Sequence, residues 1–343
     1  MTCQEIQEKL ARLFSAREEF IREYEQQGAS PSREAAAALI GQSEAIRSLI
    51  NEIEGSLHLS LEEFSGWLKS NNLESKLEGG DFEALLKKQE EFYRYGYDDF
   101  QLDRDQITVE RRKLKAIKNG LETGCLNYPF VYAIGEQKGF EHKATEMIYV
   151  YTRFRSFTRI RYHGATEFGG GMTGYDTDEI LKRYIPVTPD DFNPKQLREW
   201  WPFDVKRICE EKKQAPLVRP KMQLIFTDFR QAIPKDQKVV NEKGQILKSG
   251  HSFIQMIENR VGCLTPAQWL MLACQKKSFD DVIFGNGEGD ANEWLMAVIE
   301  NAPGKIPPVS VAMVLPSSSG LWFDVSHAHG GDSDNRWRVA VEC

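Results

Sequence analysis

Residues 308–343 read PVSVAMVLPSSSGLWFDVSHAHGGDSDNRWRVAVEC. β-Branched and aromatic residues fill Val309 to Leu315, Gly320 to Val325 and Arg336 to Glu342, and Ser, Gly, Asp and Asn collect between them. The stretch therefore predicts three strands joined by turns. Just upstream, Gly262-Cys263-Leu264-Thr265-Pro266 introduces an apolar helix from Ala267 to Cys274, with Thr265 at the N-cap and Pro266 at the first helical position. A second helix, about Ala291 to Asn301, is expected after a glycine-rich loop. Residues 261–343 thus read as an α+β module.

Moving toward the N-terminus, a strand is expected at Met222 to Thr227. A hairpin follows, Val239-Val240 against Ile246-Leu247 around Asn241-Glu242-Lys243-Gly244. The polar stretch Pro186 to Pro220 contains a short helix at Pro194 to Trp201. Apolar and aromatic residues alternate in Phe130 to Ile134 and Met147 to Tyr162, again predicting strands. A loop is expected at the glycine cluster of Gly164 to Gly174. Residues 122–260 form a mixed α/β region on this reading.

Before Gly124 the texture is helical. Ile6, Leu10, Leu13, Phe14, Phe20, Ile21 and Tyr24 recur at three or four residues, which marks one amphipathic helix. After the break Gly28 to Ser32 a second carries Ile40, Ile46, Leu49, Ile50 and Ile53, so the two form an antiparallel hairpin. Ser60 and Glu63 fit a capping box for a helix ending near Lys69, and Asp81 fits the cap of another running to Tyr93. Helix is expected to continue to about Gly120, with the charges of Asp103 to Lys118 on a solvated face. Residues 1–121 are read as a helical region suited to oligomerisation or docking.

A length of 343 residues allows two or three cores. With 41% hydrophobic and 28% charged residues the chain has the make-up of a folded protein, not a disordered one. The net charge of -7 disfavours nucleic acid as a partner. The six cysteines form no C-x-x-C pair and read as reduced thiols. MTCQEIQEKL lacks a leader pattern, and no segment approaches the roughly twenty apolar residues of a membrane span. The expectation is a cytoplasmic protein without a membrane partner.

Several patterns invite chemistry. GATEFGGGMTG at 164–174 has neither the Lys-Ser/Thr of a P-loop nor the G-x-G-x-x-G spacing, and a turn is the simpler reading. Arg153, Arg155, Arg159 and Arg161 alternate with Tyr151, Phe154, Phe157 and Tyr162, a mix that can stack and neutralise RNA. A half-exposed strand whose arginines pair with acids elsewhere is the simpler reading, favoured by the overall acidity. Asp324, His327, His329, Asp332 and Asp334 lie within eleven residues, and the i, i+2 histidines would share a strand face as metal ligands do. A metal-dependent hydrolase or transferase is the corresponding alternative. Ser317 to Ser319 lack a G-x-S-x-G elbow, and no catalytic residue, metal ligand or cofactor is assigned.

The order LTPAQWLMLACQ, a second helix, then the strands of 308–343 resembles the C-type-lectin fold of formylglycine-generating-enzyme relatives and of variable proteins of diversity-generating retroelements. Trp269 stands for the Trp of the early helix. Trp322-Phe323-Asp324 and Arg336-Trp337-Arg338-Val339 stand for the closing strands. In the retroelement families adenine-directed mutagenesis excludes Trp, Lys, Glu, Gln and Met from the varied loop, and none occurs between Trp322 and Trp337. The resemblance implies a non-catalytic protein displaying a ligand-binding surface for a protein or small molecule. Its residues would be Trp322, Asp324, Ser326, His327, His329, Asp332, Ser333, Asp334, Asn335 and Trp337. No Glu-Pro-Asn or Trp-Asn-Asp calcium triplet is present.

Overall fold

The computed structural model describes residues 3–27, 32–96, 100–133, 160–162, 184–192, 208, 211, 222–230, 233, 234, 236–248, 252–269, 271, 272, 275, 292–299, 310–317, 320–327 and 335–343. They form a mixed α/β architecture preceded by a helical stretch.

Helices α1 (Cys3–Gln27) and α2 (Arg33–Leu57) make the expected hairpin. The Ser32 hydroxyl caps α2 by accepting from the Ala35 amide at 3.2 Å. Lys9, Leu13, Ala16, Phe20 and Glu23 of α1 are half-buried, as are Ala35, Leu39, Gln42, Ile46, Leu49 and Ser56 of α2, with Ile53 fully buried. Their alternating spacing of four and three is that of a heptad seam. The antiparallel sense is fixed near both ends. Gln42 Nε2 donates to Glu23 at 2.8 Å, and Lys9 pairs with Glu52 at 3.0 Å.

Strand β1 (His58–Ser60) pairs antiparallel with β2 (Thr108–Glu110). This corrects the expectation of unbroken helix to Gly120. Three-residue strands fifty positions apart are stabilised by each other and carry no local signal. Between them α3 (Leu61–Ser70) starts on the anticipated capping box: the Ser60 hydroxyl accepts from the Glu63 amide (3.2 Å), and the Glu63 carboxylate accepts from the Ser60 amide (2.8 Å). Helix α4 (Phe82–Gly96) starts on Asp81, whose carboxylate accepts from the amides of Glu83 and Ala84. Helix α5 (Leu114–Thr123) stops at Gly124, which adopts φ +73°.

Two sheets form the rest. In the first, β6 (Gln223–Thr227) lies between β3 (Tyr128–Tyr132) and β13 (Ala340–Glu342), antiparallel to both. The free edge of β3 is buried, so its polar groups need partners. Helix α4 supplies them. Gln89 donates to Pro129 O at 2.7 Å and accepts from the Val131 amide at 2.6 Å, while Tyr93 Oη donates to Val131 O at 2.6 Å. A proline is tolerated in β3 because the strand is an edge.

The second sheet has the order β12 (Asn335–Arg336), β9 (Asn292–Ile299), β10 (Ser310–Ser317), β11 (Gly320–His327), β4 (Ile160–Tyr162), with β5 (Tyr184–Pro186) also on β9. Residues 292–299 are thus a strand, not the helix expected over Ala291 to Asn301. Glu293 to Val298 are all buried. A strand covered on both faces shows an unbroken apolar run, which periodicity does not separate from a buried helix. The expected last strand is also split. Arg336 belongs to the second sheet, Ala340 to the first, and Val339 bridges to Cys263 between them.

Strands β7 (Lys238–Val240) and β8 (Ile246–Lys248) form the anticipated hairpin. Its turn is held by Asn241 Oδ1, which accepts from the amides of Lys243 and Gln245, and by Gly244 at φ +74°. Helix α6 (Phe253–Glu258), capped by Ser252, was not anticipated. Phe253 meets Trp294 and Trp337 with ring centroids 6.0 and 5.6 Å apart. A single buried cluster runs from Leu59 to Val341, through residues on both sides of positions 121/122 and 260/261. The Gly164 to Gly174 loop, the Pro194 to Trp201 helix and the Met147 to Arg159 part of the expected strand lie outside the described residues.

Candidate functional site

The most heavily charged part of the interior is built on Arg338. Its Nε donates to Glu293 Oε2 at 2.8 Å and its Nη2 to Glu293 Oε1 at 2.5 Å, while Nη1 reaches the carbonyls of Asp228 and, at 3.0 Å, Arg230. Trp269 Nε1 also donates to Glu293, at 2.9 Å. Asp228, fully buried, accepts from Arg230, from Gln237 Nε2 at 2.8 Å and from Asn127 Nδ2 at 3.2 Å. Burial opposes the charge on Arg338, but Glu293 and Asp228 together hold the guanidinium above its ordinary pKa. Every carboxylate in this network is matched to donors. Its job is to join β9, β13 and the segment after β6, although Gln237 Oε1 is buried there without a hydrogen-bond partner.

A cleft of about 480 Å³ lies beside this network. Val187, Val240, Met296, Ala340 and Val341 give it an apolar floor, and Gly262 brings the backbone close, since a Cβ there would stand 2.9 Å from Ala340 O. The rim carries charges of both signs. Arg260 sits in the left-handed region at φ +58°, a conformation costing a non-glycine residue about 1–2 kcal/mol. It is fixed there by an ion pair to Glu242 and another to Asp190 at 2.6 Å, which also raise its pKa. Arg112 pairs with Glu110 and holds that carboxyl below its usual range, mainly through the side-chain hydrogen bond. Glu342 accepts from Gln268 Nε2 at 2.7 Å and Gln223 Nε2 at 3.2 Å. Lys113 and Lys243 also line the cleft and have no ion-pair partner among the described residues.

The thiols near these groups are held toward the protonated form, two of them buried (Cys125, Cys263) and Cys343 half-buried. Burial pushes Cys125 and Cys263 up in pKa, and the carboxylate of Glu293 adds to the effect on Cys263. Burial likewise raises Cys343. A protonated, enclosed thiol behaves as a small apolar side chain.

The residues singled out in the sequence are placed as follows. Trp322, Asp324, Ser326 and His327 belong to β11, level in register with Leu315, Met313, Val311 and Ser310 of β10. Asn335 opens β12 opposite Asn292. His329, Asp332, Ser333 and Asp334 lie outside the described residues. Trp337 is a correction: it is fully buried, packs on Phe253 and donates from Nε1 to Gly262 O at 3.3 Å, so it forms core and not a displayed surface. Of the arginine-rich stretch only Ile160 to Tyr162 is described, with Arg161 level with Trp322. Among the described residues no three His, Cys, Asp or Glu side chains are grouped to hold a metal ion, and no helix is long and apolar enough to cross a membrane.

Sequence reasoning did not identify the cleft. Its charged residues come from segments around 112, 190, 242, 260 and 342, which only the folded chain brings together. No protein-family model, curated protein or solved structure matches the chain.

Proposed function

We propose that this is a binding protein and not a catalyst, and that its ligand is a small molecule with an apolar body and an anionic group, held in the cleft. One observation carries the reading. The cleft's carboxylates are already engaged, Asp190 and Glu242 by Arg260 and Glu342 by two glutamine amides, whereas Lys113 and Lys243 have no ion pair among the described residues. The cations left to meet a ligand are these two lysines, over an apolar floor, in a volume within the roughly 300–1,000 Å³ of small-molecule sites. Phenyl phosphate and benzoate are suitable probes, and benzamidine is the cationic control. In a thermal-shift titration the two anions should stabilise the protein, by about 2.7 kcal/mol at a hundredfold excess over Kd, and benzamidine should not. Lys113→Ala/Lys243→Ala should abolish the response. Equal shifts in that variant, or none from either anion at millimolar concentration, would end the proposal.

A second reading keeps residues 261–343 as a C-type-lectin-like module of a retroelement variable protein that displays the segment from Asp324 to Asn335. It is favoured by the meeting of Trp269 and Arg338, two residues that carry the resemblance, on the single carboxylate of Glu293. On this reading the locus carries a reverse transcriptase and an imperfect repeat of the last hundred or so nucleotides of the gene. A locus without them removes the diversification.

A further inference from the structure

Six of the seven large apolar side chains that are exposed among the described residues lie on the N-terminal hairpin: Phe14, Ile21 and Tyr24 on α1, and Ile40, Ile50 and Leu57 on α2. Their positions are ordered. On α1 the seam facing α2 uses positions 9, 13, 16, 20 and 23, and a second row at 10, 14, 17, 21 and 24 runs beside it, one residue further on. On α2 the seam positions 35, 39, 42, 46, 49, 53 and 56 are accompanied by 36, 40, 43, 47, 50, 54 and 57. All six exposed residues belong to these second rows.

A step of one residue turns about 100° around a helix. In two antiparallel right-handed helices these turns run in opposite senses, so both second rows come out on the same side of the hairpin. A helix with two adjacent heptad rows has two helical neighbours, as in a four-helix bundle. Among the described residues each helix packs along its length on one neighbour, the other helix of the hairpin.

We infer that the second neighbour is another copy of this chain, and that two hairpins pack face to face as an antiparallel four-helix bundle. The area fits. A helix of 25 residues is about 37 Å long. Two of them side by side at about 10 Å spacing present roughly 700 Å² per copy, so the pair buries about 1,400 Å², within the range of specific interfaces. The charges choose the arrangement. Arg17 and Arg47 stand level on the second rows, and a partner related by a twofold along the bundle would stack four arginines in one layer. A twofold across the bundle at the Phe14/Ile50 layer instead moves the arginines of the two copies into separate layers and sets Phe14 against the partner's Phe14.

The full chain is tested by analytical ultracentrifugation at micromolar concentration. A dimer is expected, converted to monomer by Ile21→Glu/Ile50→Glu with the far-ultraviolet circular dichroism largely kept, and unchanged by Ala11→Glu, which lies on neither row. Phe14→Cys should oxidise to a disulfide-linked dimer without a second introduced cysteine. A monomeric parent chain, or a dimer indifferent to Ile21→Glu/Ile50→Glu, overturns the inference. A Phe14→Cys protein that cross-links only when Ile50→Cys is added overturns the crosswise twofold.

Discussion

Among the described side chains of α1 and α2, Ile53 alone is buried, whereas the next two helices bury Leu61, Phe64, Leu68, Phe82, Leu85, Leu86, Phe92 and Tyr93 in a cluster that reaches Val341. The hairpin has regular heptads and almost no interior. The body has irregular, short elements and a continuous interior with its charges paired. Regularity of pattern and completeness of burial are therefore separate properties here. In the body, stability should depend on single buried groups. In the hairpin it should depend on what covers its outer face, with small contributions from each surface contact.

The largest effect should come from the buried ion pair. Arg338→Ala leaves Glu293 uncompensated and should cost about 3–5 kcal/mol in urea unfolding, while Glu293→Met/Arg338→Leu, which removes both charges, should recover most of the loss. A cost below about 1 kcal/mol would mean that the network is not a keystone of the body. Alkali is the next test. Cys125 and Cys263 have native pKa values raised above the unfolded value, so their contribution is complete below about pH 8.5 and is lost as the pH rises, at about 1.4 kcal/mol per thiol per pH unit. Urea midpoints at pH 7 and pH 10 measure this, and Cys125→Ala/Cys263→Ala should flatten the difference. At the junction of the two regions, Ser60→Ala removes one half of the capping box of α3 and should lower stability by about 1 kcal/mol. Smallest of all, Lys9→Ala breaks the half-exposed pair with Glu52 and should change stability by less than about 1 kcal/mol. An effect as large as that of Arg338→Ala would erase the distinction between the regions.

What was legible in the sequence was local. The seams of α1 and α2, the caps at Ser60 and Asp81 and the turn at Asn241 to Gly244 are fixed by residues within a few positions of one another. Thr265 and Gln268 also cap reciprocally, the Thr265 amide donating to Gln268 Oε1 at 2.9 Å and the Gln268 amide to Thr265 Oγ1 at 3.3 Å. The misreadings concern partners far away. β9 is a strand because β5, β10 and β12 pair with it; β1 and β2 exist only as a pair. Trp337 was assigned to a surface through the resemblance to the variable proteins, but it packs on Phe253, which lies in a helix too short for periodicity to detect. The cleft was invisible for the same reason, and the left-handed Arg260 has no signature in a residue that normally avoids that conformation.

The three-stranded sheet also sets a timetable. Thr227 Oγ1 donates to Val339 O, and Asp228 O accepts from Arg338, across chain separations of 112 and 110 residues, while the rungs of α1 and α2 close over a few tens of residues. Loops of the first kind form slowly and repay their entropy late. Refolding from urea should therefore show helix signal rising before tryptophan burial, and until residues 338–342 arrive, one edge of β6 stands open to any other extended chain nearby.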